Sequence, residues 1–419
     1  MMPKRFAANC SFGHLVSIAS TLLFASLFLH AMGCFQNANA LSDTTTQEPN
    51  ANAQKAATGQ AAKAQQPEKI RNDWPVPRGD AGSSGATDTK LPMNLDVLWE
   101  FKADEAIEAT PTVVGDKVFA GDVFGKLYAI NRADGKEVWQ KNYDTGFLAS
   151  PAIQNDVMVI GDVEGNLYGI NPDDGTELWK QEAGGEISGS AAFYKTNVLV
   201  TSQDGKLYCF DAKTGKPQWE YETDDQVQCS ATVAGDRSFL GGCDGKLHIV
   251  DLTTGKAACE PLPLGGPTGS TPAIQGNDVF LPIMAGTIYR FDSKNQKQEW
   301  EYVDPDRDHE YRNSASVKGD VVIVSSQFKQ VDAISIATGK RLWKHTLRRR
   351  ADASPLISAD DVWIAASDGR LIRLNLKDGK ERWKYEIKGS FLASPAIAGE
   401  QLFVADDDGV VRCFGEKKL

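Results

Sequence analysis

The chain reads as an all-β protein: an eight-bladed β-propeller of four-stranded antiparallel blades, closed by pairing an N-terminal strand with the last blade. Three observations predict it. The first is a Trp that recurs at a near-constant interval: Trp99, Trp139, Trp179 and Trp219, then Cys259 in the next slot, then Trp300, Trp343 and Trp383, with spacings of 40, 40, 40, 40, 41, 43 and 40 residues. A fixed period near 40 residues is the signature of a repeat architecture. The second is a marker in step with the Trp: Ala109-Thr110-Pro111, Ala149-Ser150-Pro151, Gly189-Ser190-Ala191, Cys229-Ser230-Ala231, Ser270-Thr271-Pro272, Asn313-Ser314-Ala315, Ala353-Ser354-Pro355 and Ala393-Ser394-Pro395, eight in all. The third lies at the ends. The last unit, 393–414, stops before its Trp-bearing strand, and a spare strand with Trp99 sits at 95–102. Joining the two leaves no open sheet edge.

Within a unit the pattern is strand, tight turn, strand, tight turn, strand, Gly turn, strand (A to D). In the unit from Cys229, strand A is 230–234, Gly235-Asp236 turns, strand B is 238–242, Asp244-Gly245 turns, strand C is 246–251, and Thr254-Gly255 leads into strand D. Asp-Gly pairs tolerate the positive φ that short hairpin turns require. No sustained 3.6-residue apolar period occurs, which excludes helical solenoids.

The chain before the ring divides by composition. Residues 1–33 read as an export signal, with Lys4 and Arg5 ahead of an apolar run too short to span a bilayer. Two cleavage readings stand: Ala31-Met32-Gly33-Cys34 resembles a bacterial lipobox that would lipidate Cys34, and Ala38-Asn39-Ala40 is an A-x-A site. Residues 34–72 hold almost no bulky apolar side chain and read as a disordered tether. Residues 73–94 are an irregular lead-in, and 95–419 the propeller. The formal net charge is −11, and loss of the leader's Lys4 and Arg5 makes the body more acidic still. Such a body is repelled by phosphate, so nucleic acid is not an expected partner.

The repeat DG-x-L-Y-x-[IF]-[ND]-x-x-[TD]G-x-x-x-W, seen in DGKLYCFDAKTGKPQW ending at Trp219 and DGRLIRLNLKDGKERW ending at Trp383, resembles that of the PQQ-like propellers over about residues 95–414. The resemblance implies that Trp99, Trp139, Trp179, Trp219, Trp300, Trp343 and Trp383 dock between neighbouring blades. It also implies two functional classes. One is the quinoprotein dehydrogenases, which hold PQQ and calcium over the propeller axis. The other is non-catalytic exported propellers, such as the lipoprotein of the outer-membrane β-barrel assembly machinery.

Residue chemistry favours the second class. The chain has no adjacent cysteines, no long insertion to roof a cofactor, and no G-x-S-x-G, P-loop or dinucleotide fingerprint. Gln203, Asp204 and Gln327 are polar candidates near a quinone, but no cluster has calcium-ligand spacing. His309 and His345 stand apart from any Cys or His at ligand spacing, so no metal site is expected. His248 occupies a strand-C position otherwise Tyr or Ile, as a packing substitute. The repeated acids Asp122, Asp162, Asp204, Asp244 and Asp368 read as turn residues. The expectation is therefore no catalytic residue and no cofactor. Cys229 and Cys243 lie about symmetrically around Gly235-Asp236, and in an oxidising compartment they form either a disulfide across that hairpin or a pair of buried thiols.

Alternation along the strands puts the D-to-A connections and the B-to-C turns on one face. The candidate partner surface there comprises Phe147 and Leu148, the matching Phe391 and Leu392, Arg307, His309, Tyr311 and Arg312 in the one unit lengthened to 43 residues, and the run Arg348, Arg349 and Arg350. The competing reading has Phe147 and Phe391 plug the axial channel and the Arg run pair with the turn acids. The function expected is a non-enzymatic exported scaffold that binds envelope proteins as a monomer within a complex. It would sit at the periplasmic face of the envelope, held to the membrane if Cys34 is acylated. A PQQ-dependent oxidoreductase and a ligand- or peptide-sensing propeller are the alternatives.

Overall fold

The computed structural model describes residues 72–417. Every strand in the ring follows the period read from the sequence. Blade 1 consists of Thr112–Val114, Lys117–Gly121, Lys126–Asn131 and Glu137–Asn142, hydrogen-bonded in that order. The other blades repeat it, except that the outer strand of the fourth is split into Lys256–Ala257 and Leu262–Pro263 and the seventh gains a fifth, parallel strand, Ala86–Thr87; the eight sheets close into an eight-bladed propeller. The eighth blade takes its outer strand from the other end of the chain: Asp96–Lys102 pairs antiparallel with Val410–Gly415, with Trp99 opposite Cys413.

The A strands form the inner wall and touch their neighbours around the ring. The hydroxyls of the small-residue marker tie them together. The backbone N–H of Ser150 donates to Ser190 Oγ, Ser190 to Ser230, Ser230 to Thr271, Thr271 to Ser314, Ser314 to Ser354 and Ser354 to Ser394, at 2.9–3.1 Å. A small side chain lets adjacent blades approach, and its hydroxyl satisfies an amide that would otherwise be buried unpaired. The marker is therefore a ring of joints.

The outer joints are Trp–Gly pairs. Trp99, Trp139, Trp179, Trp219, Trp300 and Trp343 each lie against a glycine in the C-to-D turn of the following blade: Gly135, Gly175, Gly215, Gly255, Gly339 and Gly379. These glycines have φ between +65° and +73°, and a Cβ there would come within 2.5–3.0 Å of the indole. Five indoles also donate to a carbonyl beside that turn, Trp179 Nε1 to Ala212 O at 3.0 Å among them. A β-bulge one residue before the Trp tilts the ring into the joint. It turns the extra residue outward, which is why Leu98, Val138, Leu178 and Leu342 are exposed. Where Cys259 replaces Trp, its glycine is lost too: Gln296 stands in the turn at φ +54°. Trp383 has no such turn beside it, because blade 8 takes its outer strand from Asp96–Lys102, and it packs edge-on to Phe414 of Val410–Gly415 instead.

The lead-in is more ordered than its sequence suggests. Residues 74–87 wind around the inside of the ring and visit the blades in order. Trp74, fully buried, exchanges two backbone hydrogen bonds with Val113 of blade 1. The carbonyls of Pro75, Ala81, Gly82, Ser84 and Gly85 then accept from Ile153, Val233, Ile274, Val317 and Ile357, and Ala86–Thr87 runs parallel to Leu356–Ser358. Arg78 crosses the axis, donating to Pro355 O, Ala315 O and Ser316 Oγ at 2.8–3.0 Å. Burial lowers its pKa to about 10, with Asp80 opposing the shift. The segment skips blade 3, where a cavity of about 140 Å³ lies between Val76, Arg78, Asp80 and Phe193.

The export signal, Cys34 and all of the tether except its last residue, Asn72, lie outside the described residues. The Cys229–Cys243 disulfide is not formed. Extended outward, the register Thr232↔Phe239 and Ala234↔Arg237 puts Cys229 opposite Gly242, one residue short of Cys243. In a pleated pair, a slip of one residue turns the two side chains to opposite faces. The Cys229 thiol instead donates to Gly241 O at 3.3 Å, and burial pushes its pKa up to about 12.

Candidate functional site

One face of the ring carries the D-to-A connections and the B-to-C turns. In every blade the first N–H of the B-to-C turn donates to a carbonyl of the preceding connection: Val123 to Ala106, Val163 to Gly146, Gln203 to Glu186, Cys243 to Gln226, Met284 to Pro267, Gln327 to Glu310, Ser367 to Arg350 and Asp407 to Ser390. The face is thus a continuous rim.

The repeated acids are spent on holding that rim. Asp122 accepts from the N–H groups of Phe124 and Lys126 and from the Tyr128 hydroxyl, and Asp162 does the same with Glu164, Asn166 and Tyr168. Asp204 takes the Tyr208 hydroxyl. His248 replaces that tyrosine in blade 4, with Nε2 2.8 Å from Asp244 and Nδ1 3.0 Å from the Tyr221 hydroxyl. They are turn residues, as their type predicts.

The expected partner surface divides on inspection. Phe147 and Phe391 are fully buried, and so is Tyr311; His309 is 5% exposed. None of the four can be a contact surface as the fold stands. Phe147 packs with Phe119, Met158 and Ile160 between blades 1 and 2, and Phe391 with Leu371 and Val404 between blades 7 and 8, so neither plugs the axis. The same slot holds Ile107, Ile187, Val227 and Ala351, all buried. With Tyr311 and the one polar member, Thr268, these complete a buried core column of eight, and Phe147 and Phe391 look exceptional only when read alone. Leu148, Arg307, Arg312 and Arg348–350 are exposed, and Leu392 is half-buried. The Arg run does not pair with the turn acids: Arg348 lies 3.6 Å from Glu386 and Arg350 2.9 Å from Asp352. Gln203 donates to Glu186 at 2.6 Å.

A second site is invisible to local spacing. In the lengthened unit, Asp304 and His309 of the connection meet Gln330 and Asp332 at the start of strand C in blade 6 (Gln330–Ser335). His309 Nε2 is 2.8 Å from Asp304 Oδ2, and the Gln330 amide nitrogen lies 2.6 Å from Asp304 Oδ2 and 2.8 and 3.0 Å from the two oxygens of Asp332. Arg341 approaches Asp304 at 2.9 Å and Asp306 at 2.7 Å. Burial pushes Asp304 up, but the Asp306 N–H, His309, Gln330 and Arg341 outweigh it and hold the carboxyl below its ordinary range. Asp332, with fewer donors, is pushed up by burial. Two signals pointed here: the 43-residue unit, and an Asp where blades 1 to 3 carry Tyr128, Tyr168 and Tyr208. Asp304 and His309 are 28 and 23 residues from Asp332, so ligand spacing could not join them.

A family model described as outer membrane protein assembly factor BamB matches residues 95–228, 163–260, 228–362 and 328–418, which together span the ring. The chain belongs to that family. BamB from Moraxella catarrhalis is similar in structure, with a TM-score of 0.68 and 20% identity over 78% of this chain and 99% of that one. The quinohemoprotein alcohol dehydrogenase of Comamonas testosteroni reaches a TM-score of 0.72 at 14% identity, over 83% of this chain and 81% of that one. A computationally designed protein, Ika8, scores 0.68 at 17% identity, over 76% of this chain and 99% of that one. At these identities the likeness shows the fold alone. No curated protein matches the sequence.

Proposed function

We propose that the chain is a non-enzymatic scaffold of the bacterial cell envelope that binds other proteins in outer-membrane protein assembly, docking them on the rim of D-to-A connections and B-to-C turns. The observation that carries this reading is the contiguous run Arg348–350 on that rim. All three residues are exposed on an acidic protein, and their ion partners among the described residues are Glu386, exposed, and Asp352, half-buried. Exposed pairs of this kind are weak, so the guanidinium groups remain available to a partner's carboxylates or carbonyls. Leu148 adds an apolar contact on the same rim. Membership of the BamB family supports the envelope and the assembly role, and a lipid on Cys34 would hold the ring at the membrane through the tether.

The quinoprotein reading fits this chain poorly. The axis, where the resemblance would seat a quinone, carries residues 74–87 bonded to six inner strands, with Arg78 across it. The polar candidates Gln203 and Gln327 belong to blades 3 and 6 and are engaged along the rim. We therefore assign the protein no PQQ and no catalytic residue.

The test is crosslinking in native envelopes with Arg348, Arg349 and Arg350 changed together to Glu. Loss of crosslinks to outer-membrane assembly proteins is expected, with the thermal midpoint unmoved. Undiminished crosslinks from the triple variant would refute the docking site.

A further inference from the structure

The buried cluster of the lengthened unit carries more charge chemistry than its fold role needs. Asp304, His309 and Asp332 each offer one ligand atom, and these three atoms all lie within 4.8 Å of one another. All three residues are buried. The Asp332 carboxylate is completely enclosed, its one close donor among the described residues is the Gln330 amide, and Arg341 stays 3.9 Å away. That amide nitrogen faces three carboxylate oxygens and has only two protons to give. The Asp304 oxygen is also served by His309 and Arg341, so the Asp332 carboxylate rests on one neutral amide in a site where a buried charge is costly.

A second observation points the same way. The Tyr311 hydroxyl is fully buried and has no hydrogen-bond partner among the described residues. Its ring lies 5.7 Å from that of His309. His309 keeps its Nδ1 buried and likewise unpartnered. Two carboxylates, an imidazole, an amide and a phenol thus lie together, from two chain segments, in one buried place.

We propose that Asp304, His309 and Asp332 bind one first-row divalent cation, Zn²⁺ or Mn²⁺, with Gln330 or Tyr311 as a further oxygen donor. An imidazole with carboxylate oxygens and no thiolate suits these ions rather than Cu⁺. The cation takes the place now held by the Gln330 amide protons, and a rotation of that amide presents its carbonyl oxygen. Two carboxylates neutralise the ion, and Arg341 keeps its second partner, Asp306. The consequence is structural and local. The cation staples the 304–312 connection, which bears Arg307 and Arg312, onto blade 6, and so fixes that part of the rim.

The experiment uses the full-length exported protein, gel-filtered and measured for bound metal, then stripped with EDTA and titrated separately with Zn²⁺ and Mn²⁺. About one ion per chain is expected for the preferred metal, and its return raises the thermal midpoint. Asp332→Asn, which keeps shape and burial, is expected to lower affinity at least about tenfold while leaving the metal-free far-UV spectrum unchanged. His309→Gln does the same if it folds; if it does not, Asp332→Asn decides alone. Metal content no higher than that of Asp332→Asn, or equal binding by all variants through exposed carboxylates, overturns the assignment. Retention of zinc against manganese in the two titrations tells which ion the site prefers.

Discussion

Trp179 and Gly215 offer the sharpest test of how the blades are joined. The indole of Trp179 is 8% exposed, donates to Ala212 O at 3.0 Å, and lies flat on Gly215 of the next blade. Trp179→Ala removes a large buried ring and should cost about 3–5 kcal/mol. Gly215→Ala puts a methyl group 2.6 Å from Trp179 Cδ2 at a φ of +70°. It should cost about 1–2 kcal/mol for the left-handed backbone and a further amount, roughly 1–3 kcal/mol, for the overlap. Only the second part depends on the indole. The double variant should therefore be destabilised by less than the sum of the singles, the shortfall being about 1–3 kcal/mol. Equilibrium urea unfolding followed by far-UV circular dichroism measures all four corners of the cycle. Strict additivity would show that glycine is required by the turn alone and that the ring does not rest on it. The chain already contains a relaxed version of the joint: where Cys259 stands for Trp, Gln296 occupies the glycine's place at φ +54°.

Further expectations follow from the axis and from the buried thiols. Arg78→Ala removes the donor to Ala315 O and should cost about 1–3 kcal/mol for the group left unpaired; limited proteolysis should then cut within 72–94 faster. Arg78→Lys should not restore resistance, because one ammonium cannot span the carbonyls of two blades. Burial pushes the thiols of Cys209, Cys229 and Cys413 up to about 12, against an ordinary value of 9. A raised folded-state pKa means that the folded chain holds those protons longer than the unfolded one. Their contribution is full below about pH 9 and is lost as pH rises toward 12. Urea midpoints between pH 8.5 and 10.5 should fall, and Cys229→Ala should flatten the slope even if it lowers stability overall. Cys229 and Cys243 should both alkylate in denaturant without reductant; a mass showing them crosslinked would contradict the register of their hairpin.

The sequence by itself determined the ring. Period, turn glycines and the Trp column recur through eight units with few exceptions, the strand at 95–102 completes the last of them, and repetition lets weak signals add. It also determined the turn role of Asp122 and Asp162, three residues ahead of a glycine, and of Asp204, Asp244 and Asp368, directly ahead of one, since a short acid beside a turn glycine bonds the local backbone. What only the tertiary structure decided depends on contacts between units. Phe147 and Phe391 seemed free for a partner until neighbouring blades closed over them. Residues 74–87 carry little regular pattern of their own, because the hydrogen bonds that order them are supplied by six inner strands far along the chain. The Asp304–His309–Asp332 cluster arises because a three-residue lengthening lets one connection fold back over the next blade, bringing together charges that no spacing rule relates. Cys229 and Cys243 show the same limit at short range: symmetric placement about a turn could not fix the register, and a shift of one residue separated them.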